Sequence, residues 1–168
     1  MHMLLFQLIW ATSPEDAVET AKQLVLDRFI NNDTEFDYLV PFDKDDYSNC
    51  AGVNRWKDVP AVMKADSPEA MKTIDEILEV QRKEFDENIT AIYDILSKTS
   101  GDDLFENEDI RWRCDRLSYR IGPHYRLYSE DMMIARKKDL ESVYKRYANR
   151  NDGDKKLSPY LVPFDAHF

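Results

Sequence analysis

A chain of 168 residues with 43% hydrophobic and 12% aromatic residues has core material for one compact domain, residues 1–168, and too much of it for a disordered segment, although 33% of its residues are charged. Its 23 basic and 33 acidic side chains give a net charge of −10, which favours solubility and repels nucleic acid on average. Two distant cysteines, Cys50 and Cys114, exclude a disulfide framework and a thiolate metal site, and they fit a reducing compartment.

Residues 2–11 are apolar apart from His2 and Gln7 and lack the cationic start and cleavage site of a signal peptide, so they predict a buried strand. No other window approaches the roughly 18 apolar residues of a membrane span, which predicts a cytoplasmic protein. Ser13-Pro14-Glu15-Asp16 is a helix start, with a capping residue, proline at the first turn and an acid at capping-box spacing. The helix is expected near 14–30, with Ala17, Ala21, Leu24, Val25 and Phe29 as its apolar stripe. Residues 36–42 read as a second strand closed by Pro41, and 43–66, without periodicity, as a long loop.

Ser67-Pro68-Glu69 repeats the start signal, and a helix near 68–98, roughly 45 Å long, forms the spine. Its apolar stripe, if exposed, favours a homodimer. Gly101 stops that helix, and acids from Asp102 to Asp109 lead into a helix near 108–118. Gly122-Pro123 breaks the chain again. Ser129 is expected to cap a last helix near 130–148, whose stripe of Met133, Leu140, Val143, Tyr144 and Tyr147 lies along the spine, the pair packing on the sheet or on each other, and a third strand follows near 159–165. The fold class is therefore α+β, with a small, mainly antiparallel sheet of about three strands, a long helical hairpin, and several-fold more helix than strand.

One hexapeptide, Tyr-Leu-Val-Pro-Phe-Asp, occurs twice, from Tyr38 to Asp43 and from Tyr160 to Asp165. Its flanks do not match, so it reads as two strands in equivalent sheet environments, both beside the first strand.

Four glycines and no Gly-rich turn exclude phosphate loops, dinucleotide fingerprints and nucleophile elbows. The three histidines, His2, His124 and His167, show no metal-ligand spacing, so no metal or cofactor and no catalytic residue is expected. Acidic runs lack the order of a calcium loop. Asp154-Lys155-Lys156 matches the short D-x-K element of metal-dependent nucleases without its upstream partner.

Charge is most uneven in residues 111–126, where five arginines face one acid, a window of +4 against −14 elsewhere. Trp112, Tyr119, Tyr125 and Tyr128 interleave with Arg113, Arg116, Arg120 and Arg126, and His124 adjoins them. Arginine forks grip phosphates or carboxylates and aromatic faces stack on bases or cations, so Arg113, Arg116, Arg120, His124, Tyr125 and Arg126 are candidate binding residues. The competing reading is that these arginines pair with the chain's own acids.

Arg55 and Trp56, in the long loop, are the second candidate pair. The order strand, capped helix, aromatic-Asp strand and a G-x-x-R-W-like segment (Gly52, Arg55, Trp56) resembles small phage and mobile-element proteins over the first third of the chain, with Asn54 where a second glycine belongs. The resemblance implies a phage setting, hence the host cytoplasm, and no reaction.

The function expected is a non-catalytic acidic binding or regulatory protein, a phage-encoded inhibitor engaging a host or defence protein by charge complementarity, its partner basic or nucleic-acid-binding. The alternative is a nucleotide- or small-anion-sequestering protein using residues 111–128. A metal-dependent hydrolase ranks last.

Overall fold

The computed structural model describes residues 2–31, 36, 38–42, 52, 55–56, 58–117 and 125–167. Strand β1 (His2–Ala11) leads through Ser13 into helix α1 (Pro14–Val25). The Ser13 hydroxyl accepts the Asp16 amide at 3.2 Å, while the Asp16 carboxylate accepts the Thr12 amide at 2.8 Å, so the predicted helix start forms as a reciprocal cap. Helix α1 ends earlier than 30, and the chain continues as a π-helical turn, Leu26–Asn31. Strand β2 (Tyr38–Pro41) and a two-residue strand β3 (Met63–Lys64) precede helix α2 (Pro68–Lys98), whose Ser67 cap accepts the Ala70 amide at 3.2 Å. Helices α3 (Gly101–Phe105) and α4 (Glu108–Leu117) follow, then strand β4 (Tyr125–Tyr128), helix α5 (Lys137–Tyr147), a hairpin of β5 (Asn151–Asp152) and β6 (Lys155–Lys156), and strand β7 (Ser158–His167).

The sheet runs β2-β7-β1-β4, with β3 also paired to β7. Strands β1 and β7 are antiparallel from His2↔His167 to Ala11↔Ser158, and β1 and β4 are parallel, Leu4↔Tyr125 to Gln7↔Tyr128. The sheet is thus mixed and five-stranded, where three mainly antiparallel strands were expected. Among the described residues helix exceeds strand about twofold, 53% against 24%, and not several-fold. The two hexapeptide copies pair with each other, Val40↔Asp165 and Pro41↔Phe164, so the first copy lies beside β7 and not beside β1. Pro163, which has no N–H for a ladder, falls between the residues of β7 paired by β3 (Tyr160, Leu161) and those paired by β2 (Phe164 to His167).

Strand β1 is apolar on both faces because both are covered. Leu4, Phe6, Leu8 and Trp10 meet Ile74, Ile77 and Leu78 of α2 and Leu140 and Val143 of α5. Met3, Leu5, Ile9 and Ala11 meet Ala17, Ala21 and Val25 of α1 and Phe29 beyond it. The result is helix, sheet and helices in three layers.

Two helix expectations change. Ser129 caps no helix at 130: its hydroxyl accepts the amides of Asp131 at 3.3 Å and Met132 at 3.2 Å, closing a turn, while the Ile134 amide bonds to the Leu127 carbonyl. The backbone there is held by β4, so α5 starts at Lys137. Trp10 stacks on Tyr147 of α5, ring centroids 4.8 Å apart, and the Tyr147 hydroxyl donates to Asp131. Burial, and then that bond, push the Tyr147 phenol up to about 12. Helix α5 packs on the sheet, and it is α4 that runs along α2: Arg116 reaches Glu84 and Arg113 reaches Asn88. The helical hairpin is therefore α2 with α4.

Gln7 breaks the apolar rule of β1: it is 1% exposed, and neither amide atom has a hydrogen-bond partner. An unpartnered buried amide costs about 1–3 kcal/mol by mutational measures. Gln7→Met, similar in shape, should raise unfolding stability by about that amount in urea titration. A loss of stability would mean that the amide is satisfied by an ordered water.

Candidate functional site

Two constellations bear on function. The first is the arm formed where α2 runs past the sheet. The last buried residue of α2 is Asn88, leaving residues 89–98 without a fully covered side chain, and neither α3 nor α4 buries any residue. Gly101, at φ +29°, makes the bend that only glycine adopts without strain and starts α3 one turn after α2 ends. Helix α4 then returns along α2.

The described part of the basic window lies mostly on this arm, where Arg113 and Arg116 turn toward α2 and Arg111 stays exposed. Arg116 donates to Glu84 of α2 at 3.3 Å and sits 4.8 Å from the Trp112 ring centroid. Arg113 donates to Asn88 at 3.3 Å and to Asp109 at 3.2 Å. Arg111 donates to the Phe105 carbonyl at 2.7 Å and covers the Phe105 ring. Tyr125 and Arg126 lie on opposite faces of β4: Tyr125 packs with the α2-side cluster, while Arg126, 1% exposed, donates to the Tyr128 hydroxyl at 3.3 Å and lies over Phe36 on the α1 side. Arg120 and His124 fall outside the described residues. The described candidates are thus divided among one helix and two sheet faces and do not converge.

The second constellation is one that spacing rules miss. Pairing of β1 with β7 sets His2 beside His167, rings 4.9 Å apart and edge to face. Asp165 stands on the same face as His2, wholly buried at 0% exposure, and accepts from His2 Nδ1 at 2.9 Å through one oxygen. Its other oxygen accepts the Gly52 amide at 2.9 Å and lies 4.0 Å from Arg55 Nε. A carboxylate only accepts, so His2 carries its hydrogen on Nδ1.

This corner explains the G-x-x-R-W segment physically. Gly52 has φ +53°, and its carbonyl accepts the amides of both Arg55 and Trp56, at 3.1 and 3.0 Å. The turn directs the Gly52 amide and the Arg55 side chain to one buried carboxylate, and Trp56 packs against the α2-side core. Arg55 and Trp56 therefore adjoin each other in a loop clamp on β7. Both Asp165 oxygens are engaged, so the arrangement holds the loop to the sheet.

No group of three or more His, Cys, Asp or Glu side chains among the described residues could hold a metal ion, and no described helix is long and apolar enough to cross a membrane. The D-x-K element forms the exposed β5–β6 turn, with Gly153 at φ +57° and Asp152 opposite Lys155. A family model described as "Domain of unknown function (DUF7995)" matches residues 1–168. No curated protein and no solved structure matches the chain.

Proposed function

The chain belongs to that family along its whole length, and because the family's description leaves activity open, we propose from the chain's own residues that it is an acidic binding protein engaging a basic partner protein by charge complementarity. The observation that carries this reading is the inward pairing of Arg113 and Arg116 with Glu84, Asn88 and Asp109. Those contacts draw Arg113 and Arg116 of the basic window into the α2–α4 seam. What the arm presents outward is dominated by carboxylates, in a chain of net charge −10. A field of one sign over a surface attracts an oppositely charged partner and speeds its encounter. The narrower form, an inhibitor carried by a phage or mobile element and acting in the host cytoplasm, draws only on the resemblance of the first third of the chain.

A native pull-down from the source cell, read by mass spectrometry for proteins and small molecules, tests the reading. A stoichiometric basic protein is expected, and the complex should weaken steeply between low salt and about 0.5 M, where the Debye length drops below ~5 Å. A complex indifferent to salt, or an acidic partner, overturns it.

The nucleotide or small-anion reading has one observation in its favour. Trp56 Nε1 and both amide atoms of Gln81 are buried without hydrogen-bond partners on the α2 side of the sheet, the side on which Arg55 approaches Asp165. A released nucleotide in the same pull-down favours this reading, with residues 111–128 and this side of the sheet as the two places to test for it.

A further inference from the structure

The end of the α2–α4 arm combines apolar exposure with a concentration of acid. Tyr93 is 70% and Phe105 75% exposed, and Phe85 and Leu96 are more than two-fifths exposed. On α2 the spacing 85, 89, 92, 93, 96 is helical, so Phe85, Ile89, Ile92, Tyr93 and Leu96 form one ridge along the arm. It continues the stripe of Ile74, Ile77 and Leu78 that the sheet covers in the first half of the same helix. Where the sheet stops, the apolar stripe does not.

Between Asp94 and Asp109 six carboxylates (Asp94, Asp102, Asp103, Glu106, Glu108, Asp109) stand against one cation, Lys98, a local charge of −5. Lys98 is itself paired to Asp94. Phe105 projects from the middle of this charge, held by the Arg111 guanidinium over its ring. An apolar ridge bordered by an excess of acid, of which Asp94 is taken up by Lys98 and Asp109 by Arg113, is complementary to a segment with an apolar face bordered by lysine or arginine.

We infer that this end of the arm docks a basic amphipathic segment of the partner protein, leucine-like side chains against Leu96 and Phe105 and cations against the acids from Asp102 to Glu108. The inference rests on the charge-complementarity reading above and assigns it a surface. A second copy of the chain fits less well. A second copy brings a further net charge of −10 to an acidic arm end, whereas a basic segment brings the opposite sign.

The test uses the full chain with two synthetic amphipathic helices of about 20 residues, leucine along one face, bordered by lysine in one and by glutamate in the other. The lysine-bordered peptide should bind and the glutamate-bordered one should not. Leu96→Ser with Phe105→Ser, both at exposed positions, should weaken binding at least about tenfold, as for central contacts of an interface. Leu26→Ser with Met132→Ser, exposed elsewhere, should leave binding unchanged. Equal binding by the arm variant overturns the docking surface and leaves the charge reading standing. Failure to prefer the lysine-bordered peptide overturns both. Sedimentation showing a dimer that Leu96→Ser dissociates gives the ridge to a second copy and overturns the inference.

Discussion

Asp165→Ala is expected to remove about 3–5 kcal/mol of unfolding stability, the range found when one partner of a buried charged network is deleted. The carboxylate is fully buried and accepts from His2 Nδ1 and the Gly52 amide, both at 2.9 Å, with Arg55 Nε at 4.0 Å. Alanine leaves the Gly52 amide buried without its acceptor and takes the carboxylate from the part-buried imidazole N–H, so the loss exceeds that of the bonds themselves. Asp165→Asn should fall in between, because one carbonyl oxygen remains while the new NH₂ faces donors. The midpoint of urea unfolding measures the loss, and hydrogen exchange at Gly52 localises it: the amide should exchange faster in the variant under native conditions. A loss under about 1 kcal/mol with Gly52 still protected would show that the clamp does not hold the loop.

Phe6→Ala should cost about as much, roughly 3–5 kcal/mol, for a different reason. Phe6 is 1% exposed on the central strand, opposite Pro163 of β7 and Leu127 of β4, in the cluster with Ile74 and Ile77. Removing the ring leaves a cavity between sheet and helix that neighbours on two paired strands cannot collapse to fill. Phe105→Ala, the same chemistry at 75% exposure, should change stability by less than about 0.5 kcal/mol. Denaturant titrations of both variants separate a core aromatic from a contact aromatic; a large loss for Phe105 would mean that the arm tip is part of the core.

Much of the frame is legible in local sequence because it is locally encoded. Ser13 with Pro14 and Ser67 with Pro68 start α1 and α2 where capping chemistry places them, and the two-sided apolar runs mark β1 and β7. Strand β4 is hidden because its four residues include Arg126, a side chain that composition assigns to the surface and the fold buries against Phe36 and Tyr128. Ser129 misleads because a serine hydroxyl accepting amides two and three residues on is the chemistry of a turn and of a helix cap alike. The arginine window is plain as charge, but its pairing with Glu84 and Asn88 crosses from α4 to α2, which spacing along one helix does not show. The corner of His2, Asp165 and His167 joins residues 163 positions apart, and only the β1–β7 register reveals it. The aspartate that ends each copy of the repeated hexapeptide is the one available hint.

That register also sets the order in which the molecule can be assembled. Strand β1 leaves the ribosome before the other described elements and β7 after them, yet they are immediate neighbours over all ten of their paired positions. Until Ser158 to His167 emerges, β1 lacks its antiparallel neighbour and β2 and β3 have no strand to pair with. The sheet is closed by its final segment, through contacts that span nearly the whole chain and so form slowly. Until then one edge of the apolar β1 lacks its pairing strand, while β4, α1 and α2, which precede β7 in the chain, are available to cover the rest of it.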